Sequence, residues 1–263
     1  MKLTLVELTF YKQNGYLIKH NVFSKEEVLA FRRAAEDAAG TAKCFVNKKC
    51  STNKAYTIDG NRFVDFEYNG KTTVQFEHDK ANENDVIRVI EPIHHFDNIF
   101  ENLVDDKKIT TPMEQILNRC GDGISLWTSK LNLKRPHGSE FQYHQDSPYW
   151  LYDCKHSVDL LPNVIIYFDD ATIENGALKI IEKSHIHGIL PGRTNEKFEY
   201  PGFFTDTNSF DPNDAVPIVA KAGSVCFFNP HTVHGSMRNL TNQSRRAAIL
   251  TYQPLNFPML KNG

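Results

Sequence analysis

Ile124-Ser-Leu-Trp-Thr-Ser-Lys-Leu-Asn-Leu-Lys134 is where the texture of this chain changes. Leu131 and Leu133 alternate with Lys130, Asn132 and Lys134, the period-two pattern of a strand with two unlike faces. Similar short β-prone runs follow: Asn163–Phe168, Ala177–Glu182, Ala215–Ala220, Ser224–Phe228 and Arg246–Gln253. Gly, Pro, Asn and Asp separate them. Many short strands in one block predict an antiparallel sandwich or barrel rather than alternating βαβ units. Residues 185–214 interrupt that block with six Gly or Pro residues and five aromatics, among them Phe204 and Phe210. An insert of this size inside a sheet block reads as a lid or binding loop.

Upstream, the first forty residues read as helical. Ser24 and Glu27 form a capping-box pattern, with Val28, Phe31, Ala34 and Ala35 following at helical spacing. Residues 41–82 are polar, with a strand-like piece at Arg62–Tyr68, and residues 86–120 read as helical from Ile90, Ile93, Phe96, Ile99 and Leu103. The expectation is one domain over 1–263: a helical flank to about 120, a barrel over about 121–256, and the insert. The fold class is mainly β with flanking α-helices.

The chain has 263 residues and a net charge of −2, from 30 Lys+Arg against 32 Asp+Glu. That balance argues against a nucleic-acid binder working through a broad basic field. No apolar run approaches the roughly 18 residues of a membrane span. Five cysteines without close pairs do not form a secreted disulfide framework and are expected to pack as small apolar residues. A soluble protein of a reducing, cytoplasmic compartment is expected, with the sequons at Asn239 and Asn242 unglycosylated.

The chemistry is concentrated in Phe141-Gln-Tyr-His-Gln-Asp-Ser-Pro-Tyr-Trp150. On an extended strand, residues i and i+2 point the same way, so His144 and Asp146 can reach one metal. A second histidine would complete a two-nitrogen, one-oxygen set on one face, which suits non-haem Fe(II). His95-Phe96-Asp97 is a second His-x-Asp; read as helical, its two side chains diverge and cannot chelate together. His234 lies 90 residues after His144, with strands between them, and is the candidate for the third ligand. His231 is its local rival. Arg245 follows eleven residues later, and a guanidinium fork can hold a carboxylate. Adjacent strand residues face opposite sides, so Arg246 is the alternative that would point away. A metal with two free positions beside an arginine suits a small dicarboxylate.

Taken in order, Gly15-Tyr-Leu17, Lys134-Arg-Pro136, His144-Gln-Asp146, Asp170-Ala-Thr-Ile-Glu-Asn-Gly176, Gly223-Ser-Val225, His234-Gly-Ser236, Asn239 and Arg245 span nearly the whole chain. This set resembles the phytanoyl-CoA dioxygenase family of Fe(II)/2-oxoglutarate-dependent oxygenases. The resemblance implies a double-stranded β-helix, a jelly-roll barrel with helices on one side. It implies that His144, Asp146 and His234 are the iron ligands and that Arg245 pairs with the distal carboxylate of 2-oxoglutarate. Ser236 matches a hydroxyl beside that carboxylate, and Trp150 an aromatic beside the cosubstrate. Arg88 matches a cation used by some members, and Ser129 and Ile165 match strand positions lining the pocket. The implied reaction consumes O2 and 2-oxoglutarate, releases succinate and CO2, and hydroxylates or otherwise oxidises a small molecule. Relatives that are halogenases lack the carboxylate, so Asp146 favours hydroxylation or another oxidation.

Other residues have plainer readings. Glu174-Asn-Gly176 is a tight turn, since Asn-Gly accepts positive φ. His185 and His187 are read as solvated. Lys130 and Lys134 share a face, and Lys130 is a candidate to reach the substrate. The competing function is a cupin-like barrel that binds a ligand without catalysis. A metal-dependent hydrolase is a third reading, and it leaves Arg245 without a purpose.

Overall fold

A computed structural model describes residues 1–48, 53–58, 61–77, 86–154, 157–193 and 204–257. Two sheets face each other. The larger has nine strands in the order β1-β13-β8-β15-β6-β5-β4-β3-β2, and the smaller has four in the order β12-β9-β14-β7. In chain order the large sheet takes β1 (Tyr16–Lys19), β2 (Lys54–Ile58), β3 (Asn61–Glu67), β4 (Lys71–Phe76), β5 (Ile87–Glu91), β6 (Ile124–Lys134), β8 (Asn163–Tyr167), β13 (Val225–Phe228) and β15 (Arg245–Pro254). The small sheet takes β7 (Phe141–His144), β9 (Leu178–Ile180), β12 (Val216–Pro217) and β14 (His234–Ser236). Among the described residues the strand pairings are antiparallel, and β10 (Gly192–Arg193) and β11 (Phe204–Thr205) form a separate two-stranded sheet.

Strand parity divides the core in two. Val164, Ile166 and Phe168 of the β8 run, Val225 and Phe227 of β13, and Ala248, Leu250 and Tyr252 of β15 face outward into one cluster. Helices cover that face. In α2 (Lys25–Asn47), capped by Ser24 and Glu27 as expected, the residues Val28, Phe31, Ala34, Ala35, Ala38 and Ala42 are buried. Phe31 stacks on Phe168 at 5.0 Å between ring centres. The short helices α3 (Asn98–Asp105) and α4 (Lys107–Ile116) add Phe100, Leu103, Ile109 and Met113. The alternate residues Ile165, Tyr167, Cys226, Phe228 and Ala247 turn inward, between the sheets, and meet Leu178 and Ile180 of β9. A buried Val, Leu, Ile or Phe contributes about 1.5–3 kcal/mol, so two such clusters hold the barrel without a metal staple.

The first 120 residues depart from the expected helical flank. Helix α1 (Leu5–Asn14) ends at Gly15, in the left-handed region at φ +84°, and β1 then pairs with β13. Ile87–Glu91 is also a strand, not helix, because it pairs with both β4 and β6. Its apolar residues fit either period over so short a run, and sheet pairing decides. His95 therefore lies in a turn, and Asp97 caps α3 by accepting from the Ile99 amide at 2.8 Å. That capping duty, rather than helical geometry, separates the second His-x-Asp. Of the cysteines described, Cys226 is buried while Cys44 and Cys120 are exposed, contrary to the expectation that all pack inside. Among the described residues no helix is long and apolar enough to cross a membrane.

Candidate metal and dicarboxylate site

His144 ends β7 and His234 begins β14, and the two are direct partners across the antiparallel ladder. Their rings lie 4.3 Å apart between centres. Asp146 follows two residues after His144, and its backbone amide is held at 3.1 Å by the Pro230 carbonyl, just before β14. The three side chains then converge. His144 Nε2 lies 3.7 Å from Asp146 Oδ1, and His234 Nε2 lies 3.8 Å from Asp146 Oδ2. One ligand atom from each residue lies within 4.8 Å of the others.

The outer bonds of these side chains orient them. His144 Nδ1 bonds the Gln142 carbonyl at 2.7 Å, and His234 Nδ1 bonds the Thr232 carbonyl at 2.9 Å. A carbonyl only accepts, so each Nδ1 carries a hydrogen, and each Nε2 is turned toward Asp146. Burial, with His234 adding to it, holds His144 down to about 4, so its imidazole is neutral near pH 7. Two imidazole nitrogens and one carboxylate could hold a divalent iron.

A cavity of about 620 Å³ opens on these three residues. Its inner wall includes Ile165, Leu178, Phe228, Ile249, Ser236 and Arg245. Arg245 shares the inward parity of Ala247, and its buried Nε has no hydrogen-bond partner among the described residues. Arg246 turns the other way, into Asp169 (Nε to Oδ2, 2.7 Å) and Glu36 on α2 (Nη1 to Oε1, 2.9 Å). An unsatisfied buried guanidinium nitrogen beside a triad of this kind is where a carboxylate fits.

The other expected residues divide. Ile165 and Arg88 line the cavity. Arg88 is 2% exposed, donates to Ser139 Oγ and to the Glu140 carbonyl, and stacks 3.7 Å over the Phe141 ring. Ser129 does not line it. Its position on β6 has the parity of Leu131 and Leu133, and its hydroxyl meets the Ile93 amide and His94 Nδ1 on the helical side. Trp150 is also displaced from the cavity wall, because it sits in the short helix α5 (Ser147–Cys154) and packs edge-on against Trp127. Tyr149 takes the wall position, its ring 5.7 Å from that of His144. His231 is engaged elsewhere, with Ser147 Oγ at 2.7 Å and Asp159 Oδ1 at 2.6 Å. His187 is exposed as expected, but His185 is half-buried and bonds the Lys12 carbonyl. Lys130 lines the cavity. Of the insert, Phe198, Tyr200 and Phe203 lie outside the described residues, while Phe204 joins the cavity wall.

Two residues that the sequence reading passed over belong to the site. Asn163 lines the cavity and donates to Asp146 Oδ2 at 2.9 Å. Gln145, the middle residue of His-Gln-Asp, turns away from the triad. Its Nε2 reaches the His231 and Gly188 carbonyls and its Oε1 accepts from the Leu190 amide, which ties the base of the insert to β7. Its place between two converging side chains could have signalled the opposite orientation.

Two facing antiparallel sheets, with an open two-histidine, one-carboxylate cluster between them and an arginine deep in the same cavity, define the class of Fe(II)/2-oxoglutarate oxygenases. The chain belongs to the phytanoyl-CoA dioxygenase (PhyH) family, which it matches over residues 11–247, and is a dioxygenase-family enzyme that uses Fe(II) and 2-oxoglutarate. It is 27% identical over 195 residues to a protein of Stutzerimonas stutzeri named as a probable alpha-ketoglutarate-dependent hypophosphite dioxygenase, covering 73% of this chain and 66% of that one. It is 28% identical over 182 residues to L-proline trans-4-hydroxylase of Streptomyces griseoviridis, covering 63% of this chain and 67% of that one. The chain thus spans about two thirds of each relative. Among solved structures, EctD from S. alaskensis with 2-oxoglutarate and 5-hydroxyectoine superimposes with a TM-score of 0.71 at 20% identity, over 96% of this chain and 77% of that one. That likeness carries the jelly-roll fold.

Proposed function

We propose that this enzyme hydroxylates, or otherwise oxidises, an aliphatic carbon of a small polar molecule while 2-oxoglutarate is converted to succinate and CO2. The observation that carries the reading is the buried Arg245 Nε, without a partner among the described residues, in the same cavity as His144, Asp146 and His234. Iron bound with 2-oxoglutarate and O2 supplies the oxidising power. His144, Asp146 and His234, which border the cavity, would hold the metal through two imidazole nitrogens and one carboxylate. Arg245 and Ser236 receive the far carboxylate of the cosubstrate and so set its direction relative to the triad. Ile165, Phe228 and Ile249 exclude water from the inner wall, which protects the reaction from side paths.

The substrate side is built by different strands. Thr73, Glu91, Lys130, Asn132, Gln142 and Tyr149 line the outer cavity. Polar groups of both signs over a partly aromatic wall suit a compact polar substrate. A cavity of about 620 Å³ that must also hold 2-oxoglutarate leaves room for a molecule of amino-acid size. The relatives named for hypophosphite and L-proline are consistent with a small polar substrate. The test is succinate release from 2-oxoglutarate across a metabolite panel, with His144→Ala as the blank. A barrel that only binds a ligand would give no succinate above that blank with any compound.

A further inference from the structure

Lys134 on β6 and Arg245 on β15 are direct partners across the antiparallel ladder. Both are buried, at 2% and 3% exposure. Like charges directly opposite each other on a sheet repel, and burial removes the water that would screen them. Among the described residues neither enters an ion pair. Lys134 donates instead to two neutral oxygens, Ser236 Oγ at 2.7 Å and the Met237 carbonyl, and lies 5.4 Å from the centre of the Phe141 ring. Ser236 and Phe141 both line the cavity that holds Arg245. Two buried cations thus face each other here, and among the described residues neither Lys134 nor Arg245 has an anion at bonding distance, while the neighbouring Arg88 is paired with Glu77 at 3.6 Å.

The hydroxyl of Ser236 responds to the state of its neighbour. An ammonium has three donors and no acceptor. When Lys134 is charged it occupies a lone pair of Ser236 Oγ, so the hydroxyl hydrogen must point away from Nζ. When Lys134 is a neutral amine, its nitrogen can itself accept from the hydroxyl. The charge on Lys134 thus decides whether Ser236 offers a donor to something else. The charged groups that act on Lys134 are Arg245 on β15, Arg88 on β5, Glu77 just after β4 and Glu140 just before β7. Burial is the largest influence, followed by Arg245 and Arg88, and together they pull the Lys134 ammonium down to about 6 against the two glutamates.

We propose that Lys134 is a positioning residue that takes up a proton when a dicarboxylate occupies the Arg245 site and, so charged, fixes the Ser236 hydroxyl on that dianion. This rests on the reading that Arg245 and Ser236 receive 2-oxoglutarate. A dianion in this corner restores the missing counter-charge, so the proton is favoured only in the loaded site. The balance is simple: one solvent proton joins the Lys134 amine, and no covalent bond of the ligand changes.

The test is calorimetric titration of 2-oxoglutarate into Mn(II)-loaded protein, in two buffers of different ionisation enthalpy at about pH 7.5. Wild type is expected to take up close to one proton per ligand bound, and Lys134→Met close to none. The wild-type Kd should weaken by up to ~10-fold per pH unit above about pH 7, and that slope should be absent in Lys134→Met. Lys134→Arg carries a fixed charge and should bind without proton uptake, which keeps the test decisive if the methionine variant folds poorly. Equal uptake in wild type and either variant, or none in wild type, overturns the proposal. Arg245→Gln separates the two readings. If it binds as tightly as wild type, the cosubstrate site is wrong and Lys134 falls with it. If it loses binding by ~100-fold or more while Lys134→Met still takes up the proton, only the Lys134 proposal fails.

Discussion

Asn163 Nδ2 donates to Asp146 Oδ2 at 2.9 Å, while the oxygen of the same amide accepts from Thr251 Oγ1 at 2.6 Å. A carboxylate only accepts, so the amide can bridge in one orientation alone, and a strand of the large sheet thereby sets the rotation of a candidate ligand carried by the opposite wall. Asn163→Leu keeps the volume and removes the bridge. Outer partners of this kind are typically worth ~10–100-fold in metal affinity, so Fe(II) or Co(II) should bind that much more weakly under argon. An unchanged metal affinity would mean that the Asn163 bridge does not orient Asp146.

His231 and His234 stand three residues apart, and their bonds separate their roles. His231 spends both ring nitrogens on Ser147 and Asp159, outside the triad. His231→Ala should retain metal binding and 2-oxoglutarate turnover but unfold at lower denaturant, with a loss of about 1–2 kcal/mol, chiefly from the buried bond to Ser147, since Asp159 is largely exposed. His234→Ala should lose metal-dependent turnover and unfold much like the metal-free wild type. Chelation of wild type should abolish turnover yet leave one cooperative unfolding transition, because the two apolar clusters do not depend on the ion. Turnover surviving in His234→Ala would move the third ligand elsewhere.

Gly176 closes the turn that the Asn-Gly pair announces. Its φ is +74°, and a Cβ there would stand 2.1 Å from the Met237 carbonyl oxygen. Asn175 completes the turn by accepting from the Thr172 amide and donating to the Asp170 carbonyl. The turn delivers β9, which pairs with β14, and the Met237 carbonyl also accepts from Lys134. Gly176→Ala therefore strains the backbone and pushes on the cationic corner together. We expect a loss of more than ~1 kcal/mol in urea unfolding, accompanied by a raised KM for 2-oxoglutarate. A stability loss with an unmoved KM would confine the turn to folding.

The parts of this molecule that could be read from sequence are those where spacing and side-chain chemistry agree. His144, Asp146 and His234 carry the chemistry of a metal site, and their convergence follows from strand geometry. Arg245 over Arg246 follows from parity on β15, with Asp169 and Glu36 waiting on the far side for Arg246. Ser129 fails by the same rule. It lies on a strand that borders the site, but one residue out of phase with Lys130 and Asn132. Trp150 and Tyr149 are neighbours in a short helix, where one residue of difference is a rotation of about 100°, and no pattern in the sequence chooses between them. Asn163 was silent for another reason: a lone Asn before an apolar run is ordinary, and only the return of β8 beside β15 brings it to Asp146.

Burial of Lys134 also has a consequence for the empty protein. Its ammonium is held down to about 6 in the folded chain by burial and by Arg245 and Arg88, against about 10.4 for an unperturbed lysine. Between those two values the unfolded chain holds a proton that the folded chain has released. Stability of the unliganded protein should therefore rise with pH through this window and level off outside it, as far as Lys134 contributes. Lys134→Met removes the contribution, so the difference in unfolding midpoint between variant and wild type should be largest near pH 6 and shrink toward pH 9. Near pH 6 the variant should be the more stable of the two, because an apolar side chain replaces a buried cation with no acid at bonding distance. Saturating 2-oxoglutarate supplies the missing anion and should reverse that order. A wild type that exceeds Lys134→Met at pH 6 without ligand would show that the folded corner already holds a counter-charge for Lys134.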